Sequence, residues 1–272
     1  MVYTTCKICA GETEEFLPQF ELLKCSQCGF IFYKHKLDKA GTKELYDKLY
    51  NQQDDYKVYK QQAEFLKKGK QPHLGFNKMK VLKLMLKKNC SSFIEIGAGV
   101  GNVGNYLTKK NKRYAGIELD AGAAGLAREA GLNIVQGSFE DMSTFSDADS
   151  VLAFEVIEHI DDLKLCLELM SDKLATGQYF GFTVPNFEMH YNQSVDMQKK
   201  RLGQVGPPVH VNFFTITSLK KILKDIGFEP LYLKARPFPY IIWNKKSTYK
   251  KLWSAVKGQF KGSTIICVAK KN

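Results

Sequence analysis

The sequence predicts an α/β protein: a doubly wound seven-stranded sheet with helices on both faces, preceded by a small cysteine-bound ribbon. Three observations predict it. From Ser91 onward, short apolar runs alternate with amphipathic ones, the pattern of a parallel sheet flanked by helices. A glycine-rich stretch, "EIGAGVGN", follows the first of these runs, where a doubly wound fold turns from strand to helix. Four cysteines stand as two C-x-x-C pairs within the first 28 residues.

Taken in order, residues 1–35 form the cysteine module. "LLKCSQCGFIFYK" has the alternation of ribbon strands. Residues 36–88 read as a helical connector or lid, from the apolar spacing in "ELYDKLY" and "MKVLKLMLKK". Residues 89–272 form the sheet domain. Its strands are "SFIEI", "YAGIEL", "NIVQG", "SVLAF" and "QYFGFTV", closed by "LYLKA" and "STIICVA". Helices fall between them: "VGNYLTKK", "AAGLAREAG" ended by Gly131, and "SLKKILKDIGF". One more helix carries Ile160, Leu163, Leu167, Met170 and Leu174 in a 3-4-3-4 stripe, ended by Gly177.

Composition narrows the class. At 272 residues, 44% hydrophobic and 12% aromatic, the chain can bury a sizeable core. The start "MVYTTCKIC" lacks the apolar core of a secretion signal. No apolar run approaches the roughly 18 to 20 residues of a membrane helix. A soluble, cytoplasmic protein is expected. The formal charge is +12, and from Pro230 to Asn272 there are ten Lys/Arg and no Asp or Glu. Such a field favours anionic partners: nucleic acid, phosphorylated metabolites or a membrane surface.

Seven cysteines, an odd number in an intracellular chain, argue against a disulfide framework. Cys90, Cys166 and Cys267 sit in apolar surroundings and read as small core hydrophobes. Cys6, Cys9, Cys25 and Cys28 have the spacing C-x2-C-x15-C-x2-C, four soft ligands for a structural Zn2+ ion. Gly29 after the last cysteine permits the sharp turn such a knuckle needs.

Glycines 97, 99 and 101 let backbone approach a ligand closely at a helix N-terminus. Glu118 follows Gly97 by 21 residues, placed to accept hydrogen bonds from ribose hydroxyls. A dinucleotide fingerprint would need glycine at 102, where Asn102 stands. Glu95, two positions before the first glycine, would repel a pyrophosphate but attract an aminoacyl group or a sulfonium. A second site is suggested by "FEVIEHI", residues 154–160. An apolar strand ends in Glu155, then Glu158 and His159 follow on what reads as the first turn of the next helix. Helix-dipole stabilisation explains Glu158 alone; all three together, at the carboxyl edge of the sheet, suggest a reacting site.

From about residue 75 to the end, the chain resembles a class I S-adenosylmethionine-dependent methyltransferase, with the Rossmann-like fold that this implies. "EIGAGVG", "GIELD", "GSFEDM", "FEVIEHI" and "TVPNFE" match the family's motifs in order. The resemblance implies that Gly97, Ala98, Gly99 and Gly101 cradle the methionine part. Glu118 and Leu119 would contact the ribose end, and Ser138, Phe139 and Glu140 would surround the adenine. Ser138 stands where the family often has Asp.

"GPPVHVNFFTITSL" resembles a family segment that would bring His210 to the same mouth. Two chemistries then stay open. A histidine, His159 or His210, can act as general base toward an acceptor hydroxyl. Alternatively Glu155, Glu158, His159 and His210 can hold Mg2+ or Mn2+, lowering the hydroxyl pKa. Similar E-x-x-E-H…H sets serve as metal ligands in small-RNA 2′-O-methyltransferases and ubiquinone-pathway enzymes.

The joined zinc ribbon also resembles bacterial methyltransferases acting on sugars or nucleotide-sugars. Their C-methylating members carry a further C-terminal domain, which is not seen here. The expected function is therefore O-methylation of a carbohydrate or nucleotide-linked small molecule. An RNA 2′-O-methyltransferase and a zinc-dependent, non-catalytic interaction protein are the alternatives. Residues 1–35 lack the Arg-aromatic interleaving of an RNA-binding face.

Overall fold

The computed structural model describes residues 1–37, 53–145, 148–191, 196–199, 202, 206–239, 246–257, 260 and 262–272. The expected helical stretch "ELYDKLY" lies outside the described residues.

The chain opens with three antiparallel strands: β1 (Thr13–Phe16), β2 (Leu22–Cys25) and β3 (Ile31–Tyr33). Both faces are apolar: Leu23, Cys25 and Phe32 pack on one side, and Leu22 and Ile31 pack on the other with Phe187, Leu202 and Phe213. A fourth strand is recruited from far along the chain. The two-residue β9 (Asn212–Phe213) pairs antiparallel with β3, Phe32 opposite Asn212 and Ile31 opposite Phe213. The cysteine module therefore shares a sheet with the larger body.

The main sheet has seven strands in the order β10-β11-β8-β7-β4-β5-β6. They are β4 (Ser92–Ile96), β5 (Arg113–Glu118), β6 (Ile134–Gln136), β7 (Ser150–Phe154), β8 (Tyr179–Pro185), β10 (Phe228–Ala235) and β11 (Thr264–Lys271). Strands β6, β5, β4, β7 and β8 run parallel. These five are the parallel units that the alternation predicts, and the two closing strands "LYLKA" and "STIICVA" are β10 and β11. Strand β11 inserts antiparallel between β8 and β10. Its run Ile265–Ala269 is buried throughout, and a strand buried on both faces has no polar alternation from which to read direction.

Helices cover both faces, as predicted. On one side lie α1 (Gln53–Lys67), α2 (Gly75–Leu86), α3 (Asn102–Thr108) and α4 (Ala121–Glu129). They bury Leu66, Val81, Leu82, Met85, Val103, Leu107, Ala123 and Ala127 against Phe93, Leu152, Phe154 and Ile266. On the other lie α5 (Leu163–Lys173) and α7 (Ile216–Asp225), burying Leu163, Leu167, Met170, Leu219 and Ile222 against Ile94, Val151, Phe180 and Ile265. Two further helices are α6 (Glu188–Tyr191) and α8 (Lys246–Val256). The sheet residues alternate between the two cores, the period of two that a doubly covered sheet requires. Cys90, Cys166 and Cys267 are buried among apolar neighbours, consistent with a packing role. Cys6, Ile8, Phe30 and Phe32 join the α5/α7 core, so module and sheet share one interior. Among the described residues no helix is long and apolar enough to cross a membrane.

Candidate active site and cysteine cluster

Strand β4 ends at Ile96 and the chain turns sharply over the carboxyl edge of the sheet. The amides of Gly97 and Ala98 donate to Ile117 O at 2.9 and 3.0 Å, pinning the turn to β5. Gly97 (φ 69°) and Gly99 (φ 56°) are left-handed, where side chains are strained. A Cβ on Gly97 would overlap Val156 Cγ2, whereas one on Gly99 would meet nothing within 4 Å. Position 99 therefore faces open space. Gly99 N donates to Glu118 Oε2 at 2.7 Å, and Asp120 N to Oε1 at 2.9 Å. Burial raises the Glu118 carboxyl from its ordinary value, and these amides oppose that. Leu119 beside it is exposed, and Phe139 is half-buried. Ser138 caps the short 3₁₀ turn that follows: Glu140 N donates to its Oγ at 3.2 Å, and its own amide donates to Asp141 Oδ2 at 2.8 Å.

The contact of Gly97 with Val156 joins this cradle to "FEVIEHI". Here the structure departs from the expected helix start. Residues 155–160 form a turn, and α5 begins only at Leu163, capped by Asp162, whose Oδ1 accepts from Leu165 N at 3.3 Å. Glu155 has φ 57°, left-handed for a non-glycine residue, and turns the chain off β7. Glu158 and His159 are thus shaped by the turn, and the helix dipole has no part in stabilising them. Glu155 is exposed at the rim and stands outside the group that follows.

Glu158, His159 and His210 come together, each offering one donor atom, all within 4.8 Å of one another. The two imidazole rings meet edge-on at 4.6 Å between centroids. His159 Nδ1 lies 2.9 Å from Val209 O. A carbonyl only accepts, so Nδ1 carries the proton and Nε2 holds the lone pair of the neutral ring. Burial lowers the His159 pKa, keeping that lone pair available at neutral pH. Glu158 is only 1% exposed, and neither carboxylate oxygen has a hydrogen-bond partner. Burial, then the nearby Glu155 carboxylate, push its pKa well above the ordinary value. An orphaned carboxylate of this kind costs several kcal/mol if ionised, unless a cation or donor joins it.

A family profile described as a methyltransferase domain matches residues 51–233, more than half of the chain. This chain belongs to the S-adenosylmethionine-dependent class I methyltransferases. An uncharacterized methyltransferase of Bacillus cytotoxicus is 22% identical over 171 residues, covering 60% of this chain and 81% of that one. Similar folds include an S-adenosylmethionine-dependent methyltransferase of Archaeoglobus fulgidus (TM-score 0.50, 18% identity, 72% of this chain and 95% of that one). Another is from Mesorhizobium loti (TM-score 0.53, 13% identity, 72% and 99%). The cradle fits the cofactor: a left-handed Gly99 opens on free space beside the Glu118 carboxylate. When bound, S-adenosylmethionine supplies a methyl group on an electrophilic sulfonium.

Glu95 of the methyltransferase lies beneath the turn, 1% exposed, accepting a 2.6 Å hydrogen bond from Tyr114 Oη. Burial pushes its pKa up to about 7, against Lys78 and Tyr114, which lower it. A folded pKa above the unfolded one means that stability is full below about pH 4.5 and falls as pH rises through about 7. Glu95→Gln keeps an acceptor for Tyr114 and cannot ionise. Its melting temperature relative to wild type should therefore be higher at pH 8 than at pH 5. A pH-independent difference would mean Glu95 ionises freely in the folded protein.

Sequence reading missed Lys78, whose Nζ stands 5.4 Å from the Phe154 ring centroid and whose charge lowers both Glu95 and Glu155. It also missed Asn212. The amide of Asn212 donates from Nδ2 to Ile157 O and Ile160 O, both at 2.7 Å, and so holds the turn. Asn212 lies within "GPPVHVNFFTITSL", a segment read only for His210.

The cysteines of the methyltransferase's N-terminal module also converge, all four sulfurs within 4.8 Å of one another. Cys6 and Cys28 Sγ are 3.6 Å apart, Cys9 and Cys25 Sγ 3.5 Å. Four sulfurs about 2.3 Å from a tetrahedral ion lie about 3.8 Å apart, so the set fits zinc. Ile8 N and Cys28 N approach Cys6 and Cys25 Sγ at 3.4 and 3.5 Å. Gly29 takes φ 69°, as expected of the residue after the second knuckle, and Ala10 takes φ 57° after the first.

Proposed function

We propose that the methyltransferase transfers the methyl group of S-adenosylmethionine to a hydroxyl of a small carbohydrate or nucleotide-linked acceptor. In this reading Glu158, His159 and His210 activate the hydroxyl, while Cys6, Cys9, Cys25 and Cys28 hold a structural Zn2+. The observation that supports it best is the gathering of His159 and His210 around the buried Glu158 carboxylate, on the turn whose Val156 packs against Gly97. A hydroxyl must lose its proton as it attacks a sulfonium methyl, and this group can accept or acidify that proton. The basic surplus of the chain suits an anionic acceptor. Glu118 and Leu119 take the ribose end of the cofactor, and Phe139 with Ser138 and Glu140 the adenine side. Assay with methyl-labelled cofactor should give transfer to nucleotide-sugars or sugar phosphates. Transfer confined to RNA 3′ ends would select the 2′-O-methyltransferase reading instead.

Between base and cation, the orphaned Glu158 carboxylate favours a cation. Two imidazoles and one carboxylate suit Mn2+ better than Mg2+, which prefers an all-oxygen shell. At about 100 times its Kd, Mn2+ should raise the melting temperature by roughly 5 °C or more. Glu158→Gln should abolish that shift with zinc content unchanged. An equal shift in the variant would remove Glu158 from the cation set and leave a histidine base.

A further inference from the structure

We propose that Asn212 and Asp161 are positioning residues, through which the cysteine-bound module sets the active-site turn of residues 155–160. The turn makes little hydrogen bonding of its own: His159 N to Val156 O at 3.0 Å is its one backbone bond internal to those residues among the described ones. Its carbonyls are held from outside. Beyond the two bonds from Asn212 Nδ2, Glu158 O accepts from Val211 N at 2.9 Å and Asn212 N at 3.0 Å. The Asn212 amide nitrogen is aimed so fully at the turn that its Oδ1 is left buried without a partner.

Asn212 is in turn fixed by the module. Strand β9 is an edge strand of two residues, and β3 is its only strand neighbour among the described residues. Tyr33 N donates to Val211 O at 3.0 Å and extends that pairing. A second link enters at the far end of the turn. Asp161 accepts from Tyr3 Oη at 3.0 Å, Lys7 Nζ at 3.3 Å and Leu37 N at 3.1 Å. Lys7 lies between Cys6 and Ile8 on the first knuckle, with its side chain 4% exposed. The knuckle and Ile157 also share one apolar core. A metal that orders the four sulfurs thus orders Lys7, β3 and β9, and through them the backbone that aims Glu158 and His159.

This rests on metal binding by the cysteines, and its test is chosen to be independent of the acceptor. Hydrogen exchange would be followed on the full chain, together with S-adenosylhomocysteine titration and zinc content. Cys25→Ser should lose the metal and speed exchange across residues 155–161 and 209–213 by about tenfold or more. Strand β4 and the glycine turn should change little, and the ligand affinity by less than about threefold. Asn212→Ala should loosen 155–161 with zinc fully retained, and Asp161→Asn should do so less than Asp161→Ala. Unchanged protection of 155–161 in both Cys25→Ser and Asn212→Ala overturns the proposal. A uniform rise over the whole sheet with lost ligand binding does too, since that marks a merely stabilising module.

Discussion

Gly99→Asp is expected to weaken S-adenosylmethionine binding by more than about 100-fold, about 2.7 kcal/mol, in a protein that remains folded. Among the glycines of the turn it is the informative one. A Cβ at Gly97 would overlap Val156 and one at Gly101 would overlap Leu132, so substitution there disturbs packing as well as binding. At Gly99 nothing lies within 4 Å, and the remaining penalty is the left-handed backbone. Aspartate tolerates that region better than most residues, at about 1 kcal/mol. Its carboxylate would enter the space the cofactor needs, beside the Glu118 carboxylate that already accepts the position-99 amide. Calorimetric titration with S-adenosylhomocysteine, paired with a melting curve, measures both halves. A folded variant with wild-type affinity would move the cofactor away from this turn.

How far such a site can be read from sequence depends on the range of the interactions that make it. Strands β4 and β7 were legible to the residue, because wholly buried and mostly apolar runs end there at a glycine or a charge. The cysteine cluster was legible because its members come in local pairs. The start of α5 was not. Glu158 and His159 precede an apolar stripe at helical spacing, yet Asp162 is the true cap and the preceding turn is held by Asn212. That partner lies far along the chain, and one asparagine leaves no periodic trace. The β3–β9 pairing escaped for the same reason: a two-residue strand has no period. Without that pairing, the module looks like a separate domain. The antiparallel entry of β11 was hidden by its own burial. Glu95 was expected to face the cofactor because it precedes the first glycine by two positions; its burial under Tyr114 follows from three-dimensional packing alone.

His159→Ala and His210→Ala should each cut turnover by about 10²- to 10⁴-fold, the range a general base contributes, with cofactor affinity nearly unchanged. The separation follows from the geometry. The amides of the glycine turn are fixed to Ile117 O and Glu118, and neither histidine takes part in those bonds. The histidines instead face each other at 4.6 Å and share their site with the buried Glu158. Loss of either ring removes a lone pair from the acceptor side alone. If one imidazole is the base, activity survives chelation and its logarithm falls with unit slope below the histidine pKa. Burial lowers that pKa for His159, so the fall should begin at a pH below the ordinary histidine range. If a cation sits on Glu158, His159 and His210, gentle chelation silences the enzyme and Mn2+ restores it. Zinc content must stay constant in that experiment, because a metal held by Cys6, Cys9, Cys25 and Cys28 would respond to chelators too. Near-full turnover in both alanine variants, on an acceptor the wild type methylates, would reduce the histidine pair to a structural contact and leave the acceptor to be activated elsewhere.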